Sequence, residues 1–237
     1  MSIILSIETS TPICSVAIHN DAKLMANADL YLEKSHSNSL TPLIEQLLSH
    51  CDLKMKDLEA IAVSSGPGSY TGLRIGLSTA KGLCYALEIP LISISSLDSM
   101  TVQVLNFQKE EASVYIPMLD ARRMEVFYKV SAPDHSEIKE ISNLIIEADA
   151  FQDYLDNYER IYLFGNGAEK TKDLLKPVSK KFIWIDHVNP SAQFFGKMAF
   201  DKFKMSQFED LAYFEPNYGK EFYSPNSKKK SFLDLNR

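Results

Sequence analysis

The spacing of hydrophobic and polar positions predicts the order of strands and helices along this chain. Residues 2–8 form a nearly continuous apolar run with β-branched side chains, which is typical of a strand buried on both faces. Residues 14–18 then alternate, and residues 23–32 supply a further strand. From Asn38 the apolar positions follow helical spacing, with Pro42 expected in the first turn. Three strands and a helix therefore open the fold.

The rest of the chain alternates strands and helices, and the two halves follow the same order. The first half continues with a strand, a helix, a strand and a helix over 60–65, 70–87, 90–95 and 97–106. The second half has strands near 114–119, 124–131 and 137–141, a helix at 147–156, a strand at 160–165, a helix at 168–175, a strand at 181–186 and a helix at 191–203. Both halves therefore follow the order βββαβαβα.

A meander of strands followed by helical crossovers predicts an α/β protein with mixed sheets covered by helices. Two such units in succession resemble the duplicated actin-like (ASKHA, ribonuclease H-like) fold, in which a cleft between the halves receives ligands. We expect a first subdomain over 1–107 and a second over 108–214, with the last helix able to pack on the first subdomain. Residues 215–237 have no sustained period and are predicted to form a C-terminal tail.

Composition narrows the classes of partner and compartment. The 237 residues carry 25 Lys and Arg against 31 Asp and Glu, a net charge of −6, so no overall field attracts nucleic acid or an acidic membrane. Any RNA contact must be local or come from a partner. The three cysteines are widely spaced and fit neither a disulfide framework nor a zinc site. Without a leader or a spanning apolar run, we expect a soluble, cytoplasmic protein with no membrane contact.

Two predicted hairpins stand where actin-like proteins hold a nucleotide through backbone amides next to glycines. The first hairpin, at residues 7–15, retains Glu8 and Thr9. The second hairpin, at residues 119–127, contains Arg122 and Arg123, and neither hairpin contains a glycine. The arginines are candidates for an anion site, although pairing with acidic neighbours explains them equally well. A third candidate is the loop after the strand at 160–165. Its Gly165 and Gly167 either pack against an adenine or ribose or form a simple turn between strand and helix.

The stretch SSGPGSYTGLRIG, at residues 64–76, holds four of the nine glycines. Ser69 is placed to cap the following helix, whose first amides are a candidate anion site, although the spacing is not that of a P-loop. Within the helix, Gly72, Gly76 and Ala80 form a narrow stripe at i, i+4 and i+8. Interior glycines cost about 1 kcal/mol each relative to alanine, so a close neighbour should compensate. That neighbour is either another part of this chain or a helix of a second protein.

Four segments together resemble the TsaB family. They are SIETST at the N-terminus, HSNSLTPLIEQLL at 36–48, SSGPGSYTGLRIGLSTAKGL at 64–83 and DARRMEVFY at 120–128. The resemblance implies an actin-like subunit with no catalytic residue or metal site of its own. It also implies a heterodimer with the related protein TsaD through the helices at 38–50 and 70–87. The interface residues it indicates are Leu43, Leu47, Tyr70, Gly72, Leu73, Gly76, Leu77 and Ala80.

The resemblance also implies a pathway, the formation of threonylcarbamoyladenosine beside the anticodon of tRNA. TsaD holds the metal and transfers the threonylcarbamoyl group, and the ATPase TsaE joins the larger complex. Contact with tRNA, and any binding of ATP or ADP, is expected only in the assembled complex, and the chain alone is expected to form a homodimer. His36 and His50 lie roughly 20 Å apart if helical, too far to share an ion. The alternative from the residues alone is an independent ATP-dependent phosphotransferase or ATPase.

Overall fold

The first half of the chain forms a five-stranded mixed sheet. The computed structural model describes residues 2–31 and 36–219. The strands of the first sheet are β1 (Ile3–Glu8), β2 (Cys14–Asn20), β3 (Lys23–Leu30), β4 (Ala60–Gly66) and β5 (Leu91–Ser95). Their order is β3-β2-β1-β4-β5, in which β1, β2 and β3 form an antiparallel meander, while β4 runs parallel to β1 and β5. Every residue of β1 is buried, as its apolar run predicts.

The second half repeats this sheet. Its strands are β6 (Ser113–Asp120), β7 (Glu125–Ser131), β8 (Glu137–Ile145), β9 (Arg160–Phe164) and β10 (Phe182–Ile185). The order β10-β9-β6-β7-β8 is that of the first sheet read from the other edge, with the same pattern of parallel and antiparallel pairs. The predicted duplicated actin-like architecture is therefore confirmed.

Helices connect and cover the sheets. Within the described residues they are α1 (His36–His50), α2 (Tyr70–Leu87), α3 (Ser96–Leu105), α4 (Gln152–Leu155), α5 (Lys172–Leu175) and α6 (Gly196–Lys204). Short 3-10 turns lie at Met55–Asp57, Glu169–Thr171 and Ala192–Phe195. None of the helices in the described ranges is long and apolar enough to cross a membrane.

The last helix of each half packs on the sheet of the other half. Leu97 and Met100 of α3 contact the second sheet in a cluster that includes Tyr115. In the opposite direction, Phe195 and Ala199, just before and within α6, are fully buried against β1, β4 and β5. The two halves are thus joined by two exchanged helices as well as by the connecting chain.

Four predicted helices differ from the observed ones by more than one residue. The predicted helix at 147–156 is only the four residues of α4, because Phe151 adopts a left-handed backbone that a helix cannot continue through. The predicted helices at 168–175 and 191–203 each begin as a 3-10 turn. Helix α1 begins at His36, two residues earlier than predicted, so Pro42 lies inside the helix instead of in its first turn. The predicted subdomain bounds remain a prediction.

Candidate functional site

The four glycines of residues 64–76 make room for other parts of the same chain. A β-carbon on Gly66 would collide with the carbonyl oxygen of Asn217, and one on Gly68 would collide with that of Ser10. A β-carbon on Gly72 would meet the carbonyl oxygen of Thr9, and one on Gly76 would meet the Thr9 hydroxyl. The glycine-rich stretch therefore lets two separate segments of this chain, one at residues 9–10 and one at Asn217, approach α2 and the loop before it.

Thr9 fills the stripe of small residues on α2. Its hydroxyl donates a hydrogen bond of 2.9 Å to the carbonyl of Gly72, and its amide donates one of 3.3 Å to the Ser64 hydroxyl. Thr9 is fully buried. The contact between threonine and glycines thus compensates the helix for the propensity that its two glycines cost.

The predicted interface residues are mostly buried inside this chain. Tyr70 remains 40% exposed. The other seven are buried, namely Leu43, Leu47, Gly72, Leu73, Gly76, Leu77 and Ala80. Thr9 and the first sheet already cover this stripe, so the intramolecular alternative accounts for its small residues. Contact of these residues with another protein stays a prediction.

Within the part of the chain that the structure describes, no element covers the opposite side of α2. The open face of α2, as we call it, consists of Thr71, Arg74, Ser78, Gly82 and Tyr85, all of which are exposed. Tyr85 is 80% exposed, and a β-carbon on Gly82 would meet no atom within 4 Å. The sequence analysis missed this face, although Ser78, Gly82 and Ala86 show the same spacing of four residues as the buried stripe.

The loop before α2 supplies the N-terminal cap of that helix. The Ser69 hydroxyl accepts a hydrogen bond of 3.2 Å from the Gly72 amide, which confirms the predicted cap. The Ser69 amide donates to the carbonyl of Ser10 at 2.6 Å. Ser69, Tyr70 and Ser10 line a cavity of about 580 Å³ between the halves, which we call the cleft. The cleft lies where the two hairpins face each other.

Glu8 lies behind the cleft and does not face it. It is fully buried, and its Oε1 accepts a hydrogen bond of 2.6 Å from the Ser10 amide. Burial raises the pKa of the Glu8 carboxyl, and the Ser10 amide and nearby serine hydroxyls only partly offset that effect. Glu8 and Thr9 therefore support the fold of the first hairpin, and neither is placed to bind a nucleotide in the cleft.

Replacing Glu8 should reveal this structural role through pH. Because the native pKa is raised above 4.5, the native state keeps a proton that the unfolded chain loses as the pH rises through that value, which lowers stability. Glu8→Gln keeps an oxygen acceptor for the Ser10 amide and removes the titration. We expect it to unfold at higher urea concentration than the parent at pH 7, with the difference shrinking towards pH 4. An equal loss of stability at both pH values would contradict this account.

The second hairpin holds its arginines on strained backbone. Arg122 and Arg123 both have positive φ, 71° and 50°, which is uncommon for residues with a β-carbon. Lys170 contacts the Asp120 carboxylate and donates a hydrogen bond of 2.8 Å to the Arg123 carbonyl. These contacts stabilise the turn that contains the two arginines. Arg122 lines the cleft and is exposed. The structure thus places one of the two arginines at the cleft, and whether it binds an anion remains a prediction.

The loop after β9 packs against the second sheet. A β-carbon on Gly165 would collide with Met100 and with the carbonyl oxygen of Met118, and one on Gly167 would press on Leu119. Between them, the Asn166 side chain accepts a hydrogen bond of 2.9 Å from the Asp120 amide. The simple structural turn is thus sufficient to explain both glycines, and a base or ribose is not needed to account for them.

The structure brings one serine next to a histidine, a pair that the sequence analysis missed. Ser6 Oγ lies 3.2 Å from His19 Nδ1, and His19 Nε2 lies 3.1 Å from the Gln193 carbonyl oxygen. Both side chains are buried, with 0% and 1% exposure, and burial lowers the pKa of His19. Because no substrate reaches Ser6, this pair joins β1, β2 and the turn before α6.

The histidines of α1 are separated as the sequence analysis expected. His36 begins the helix and His50 ends it. His36 Nε2 lies 2.8 Å from the Thr11 carbonyl oxygen, so it links α1 to the first hairpin. Among residues 2–31 and 36–219, no three His, Cys, Asp or Glu side chains are grouped so as to hold a metal ion.

The duplicated sheets and the cleft between them define an actin-like protein, and comparisons with known proteins agree. YeaZ from Pseudomonas aeruginosa has the same fold, with a TM-score of 0.78 and 21% identity over 91% of this chain and 99% of that one. The family model for TsaD, tRNA N6-adenosine threonylcarbamoyltransferase, matches residues 31–214. The chain belongs to this family, and its relatives place it in the TsaB branch.

Those relatives are proteins named for tRNA threonylcarbamoyladenosine biosynthesis. TsaB of Bacillus subtilis (strain 168) is 38% identical over 124 residues, 52% of this chain and 52% of that protein. TsaB of Buchnera aphidicola subsp. Acyrthosiphon pisum is 30% identical over 161 residues, 67% of this chain and 72% of that protein. The match thus spans only about half the length of the B. subtilis relative.

Proposed function

We propose that this chain is a TsaB-type subunit of the machinery that makes threonylcarbamoyladenosine in tRNA, where it supports the transferase TsaD without supplying a catalytic group. The observation that carries the proposal is the open face of α2, a helix surface with small residues at its centre that no element of residues 2–31 and 36–219 covers. Ser78 and Gly82 allow a second helix to approach closely, while Arg74 and Tyr85 stand at its edges. Membership in the TsaB branch supplies the pathway.

The side chains near the cleft favour a subunit over an independent phosphotransferase or ATPase. Glu8 and Thr9 are buried, and the hairpins that would hold phosphate contain no glycine. Within the described residues, Ser69 and Arg122 are the predicted anion ligands that line the cleft, and only Arg122 carries a charge. The Asp120 carboxylate also lines the cleft, but Lys170 and the Arg122 amide already bind it. Because no group of three metal-binding side chains occurs among the described residues, the cleft is poorly suited to phosphoryl transfer.

The subunits proposed to assemble with this chain are those that the resemblance to TsaB indicates. TsaD is proposed to dock on α1 and α2 in a heterodimer, with TsaE joining the larger complex and tRNA reached through it. ATP or ADP is proposed to bind only in the assembled complex. A homodimer of the chain alone would have to use exposed side chains such as Tyr85, because the leucines of α1 and both Leu73 and Leu77 of α2 are buried.

In this proposal the subunit acts by selecting a conformation of its partner. An interface that matches only the active shape of TsaD stabilises that shape. The free-energy difference between the two states of TsaD changes by as much as their binding free energies for this chain differ. The chain therefore needs no reactive residue of its own, only a rigid helix pair. The contacts of Thr9 with Gly72 and Gly76 supply that rigidity by fixing α2 on β1.

The test is incorporation of labelled threonine into tRNA. Purified TsaD, TsaE and the enzyme that makes the threonylcarbamoyl-adenylate are incubated with ATP, bicarbonate and unmodified tRNA, with and without this chain. We expect strong dependence on the chain, and no incorporation when the chain replaces TsaD. Full activity in its absence would overturn the proposal.

A further inference from the structure

Residues 209–219 form a segment with one turn at 211–213, the C-terminal strap, that runs along α2 and reaches residues lining the cleft. At its start, the Glu209 amide donates to the carbonyl of Leu91 at 2.9 Å. Midway, the Lys81 ammonium donates to the carbonyl of Ala212 at 3.3 Å. Near its end, the Asn217 amide donates to the carbonyl of Ser65 at 2.7 Å. The strap is therefore held at three places along the first half.

Side chains anchor the strap as well. Phe214 packs on the hydrophobic cluster of the first half, and Pro216 is buried. The glycine at position 66 leaves the space that the Asn217 carbonyl occupies, since any β-carbon there would collide with it. The turn before α2 thus leaves space for this segment. Residues 215–219 of the strap belong to the tail that the sequence analysis predicted.

The last described residues of the strap contact one side chain on each side of the cleft. The Tyr218 ring lies 4.7 Å from the Tyr70 ring, centroid to centroid, and Tyr70 lines the cleft from the first half. Gly219, with φ of +73°, leaves no room for a β-carbon against the ring of Phe127, which lines the cleft from the second half. Two consecutive residues therefore bridge from one half to the other.

We propose that the C-terminal strap is a tie that limits how far the cleft opens. The halves of a two-part protein move apart by hinge motions, and a segment that is anchored on one half and packed on the other opposes such motion. Tyr218 and Gly219 form the tie through their contacts with Tyr70 and Phe127. A ligand that needs a wider cleft must first detach the strap from Phe127 or Tyr70. This inference does not depend on the proposed partner.

Amide hydrogen exchange of the full chain tests the tie. Tyr218→Ala removes the ring contact with Tyr70, and Tyr213→Ala is the matched control because Tyr213 lies on the same strap and is 85% exposed. An aromatic pair contributes enough that its loss should speed local opening about threefold to tenfold. We expect this acceleration in peptides covering residues 10–13 and 119–123 for Tyr218→Ala and no change for Tyr213→Ala.

A second variant guards against a misleading single substitution. Gly219→Val, at a positive φ and against Phe127, should detach the strap by strain and reproduce the faster exchange at the cleft. In both variants, exchange in the buried strands β1 and β6 should stay at the parent rate. Equal rates for Tyr218→Ala and Tyr213→Ala, or an increase spread evenly over the whole chain, would overturn the proposal.

Discussion

Gly72→Ala should destabilise the folded chain strongly, although alanine is the better helix former. The added β-carbon would collide with the carbonyl oxygen of Thr9, a backbone atom that cannot move without disturbing β1. Overpacking of this kind costs more than the helix propensity gained, and we expect the free energy of unfolding to fall by about 2 kcal/mol. For a chain of this size that corresponds to a midpoint of thermal unfolding lower by about 4–8 °C.

Gly82→Ala is the matched control on the same helix. Its β-carbon would meet nothing within 4 Å, so only the change in helix propensity remains. We expect a gain of up to about 1 kcal/mol, measured by the same thermal or urea unfolding. If both alanine variants have the same stability, Gly72 is not a packing residue and the contact with Thr9 has been misjudged.

Gly82→Arg should separate binding from folding. An arginine on the open face of α2 projects into solvent in the free chain and is a better helix former than glycine, so the unfolding midpoint should equal that of the parent or rise by up to about 4 °C. In the proposed heterodimer the same side chain would stand between two closely packed helices. We expect affinity for TsaD to fall at least about 30-fold, the size of an interface hot spot, and threonine incorporation to fall with it.

Gln152→Arg serves as the charge-matched control, because Gln152 is an exposed residue of α4 in the second half. It adds the same side chain and leaves the open face of α2 intact. Calorimetry or co-purification should show parent-like binding to TsaD. If Gly82→Arg also binds normally, TsaD does not use this face, while the dependence of threonine incorporation on the chain can still hold.

The sequence predicted the duplicated order of elements well because each signal was local. The apolar run of β1, the helical spacing of α1 and the serine cap of α2 are each visible within a few neighbouring residues. Helix α2 was predicted with the bounds that it has, Tyr70–Leu87. The second half was harder, since α4 and α5 are only four residues each and depend on tertiary packing.

Which face of α2 is buried could not be predicted from neighbouring residues in the sequence. Both faces carry small residues four apart, and only the fold decides that Thr9 covers Gly72 and Gly76 while Gly82 stays open. That decision depends on a contact between residues more than sixty positions apart. The contact of Asn217 with Gly66 spans an even longer stretch of chain, which is why the strap escaped notice.

The exchange of α3 and α6 between the sheets has a consequence for how the chain is divided. A fragment ending after α3 would leave Ile4, Ile92 and Ile94 of the first sheet without the cover that Phe195 and Ala199 provide. The same fragment would expose Leu97 and Met100, which belong to the core of the other half. Each sheet therefore depends on residues of the other half for part of its cover. During synthesis, the cover that Phe195 and Ala199 give to β1, β4 and β5 can form only after the ribosome has made most of the second half.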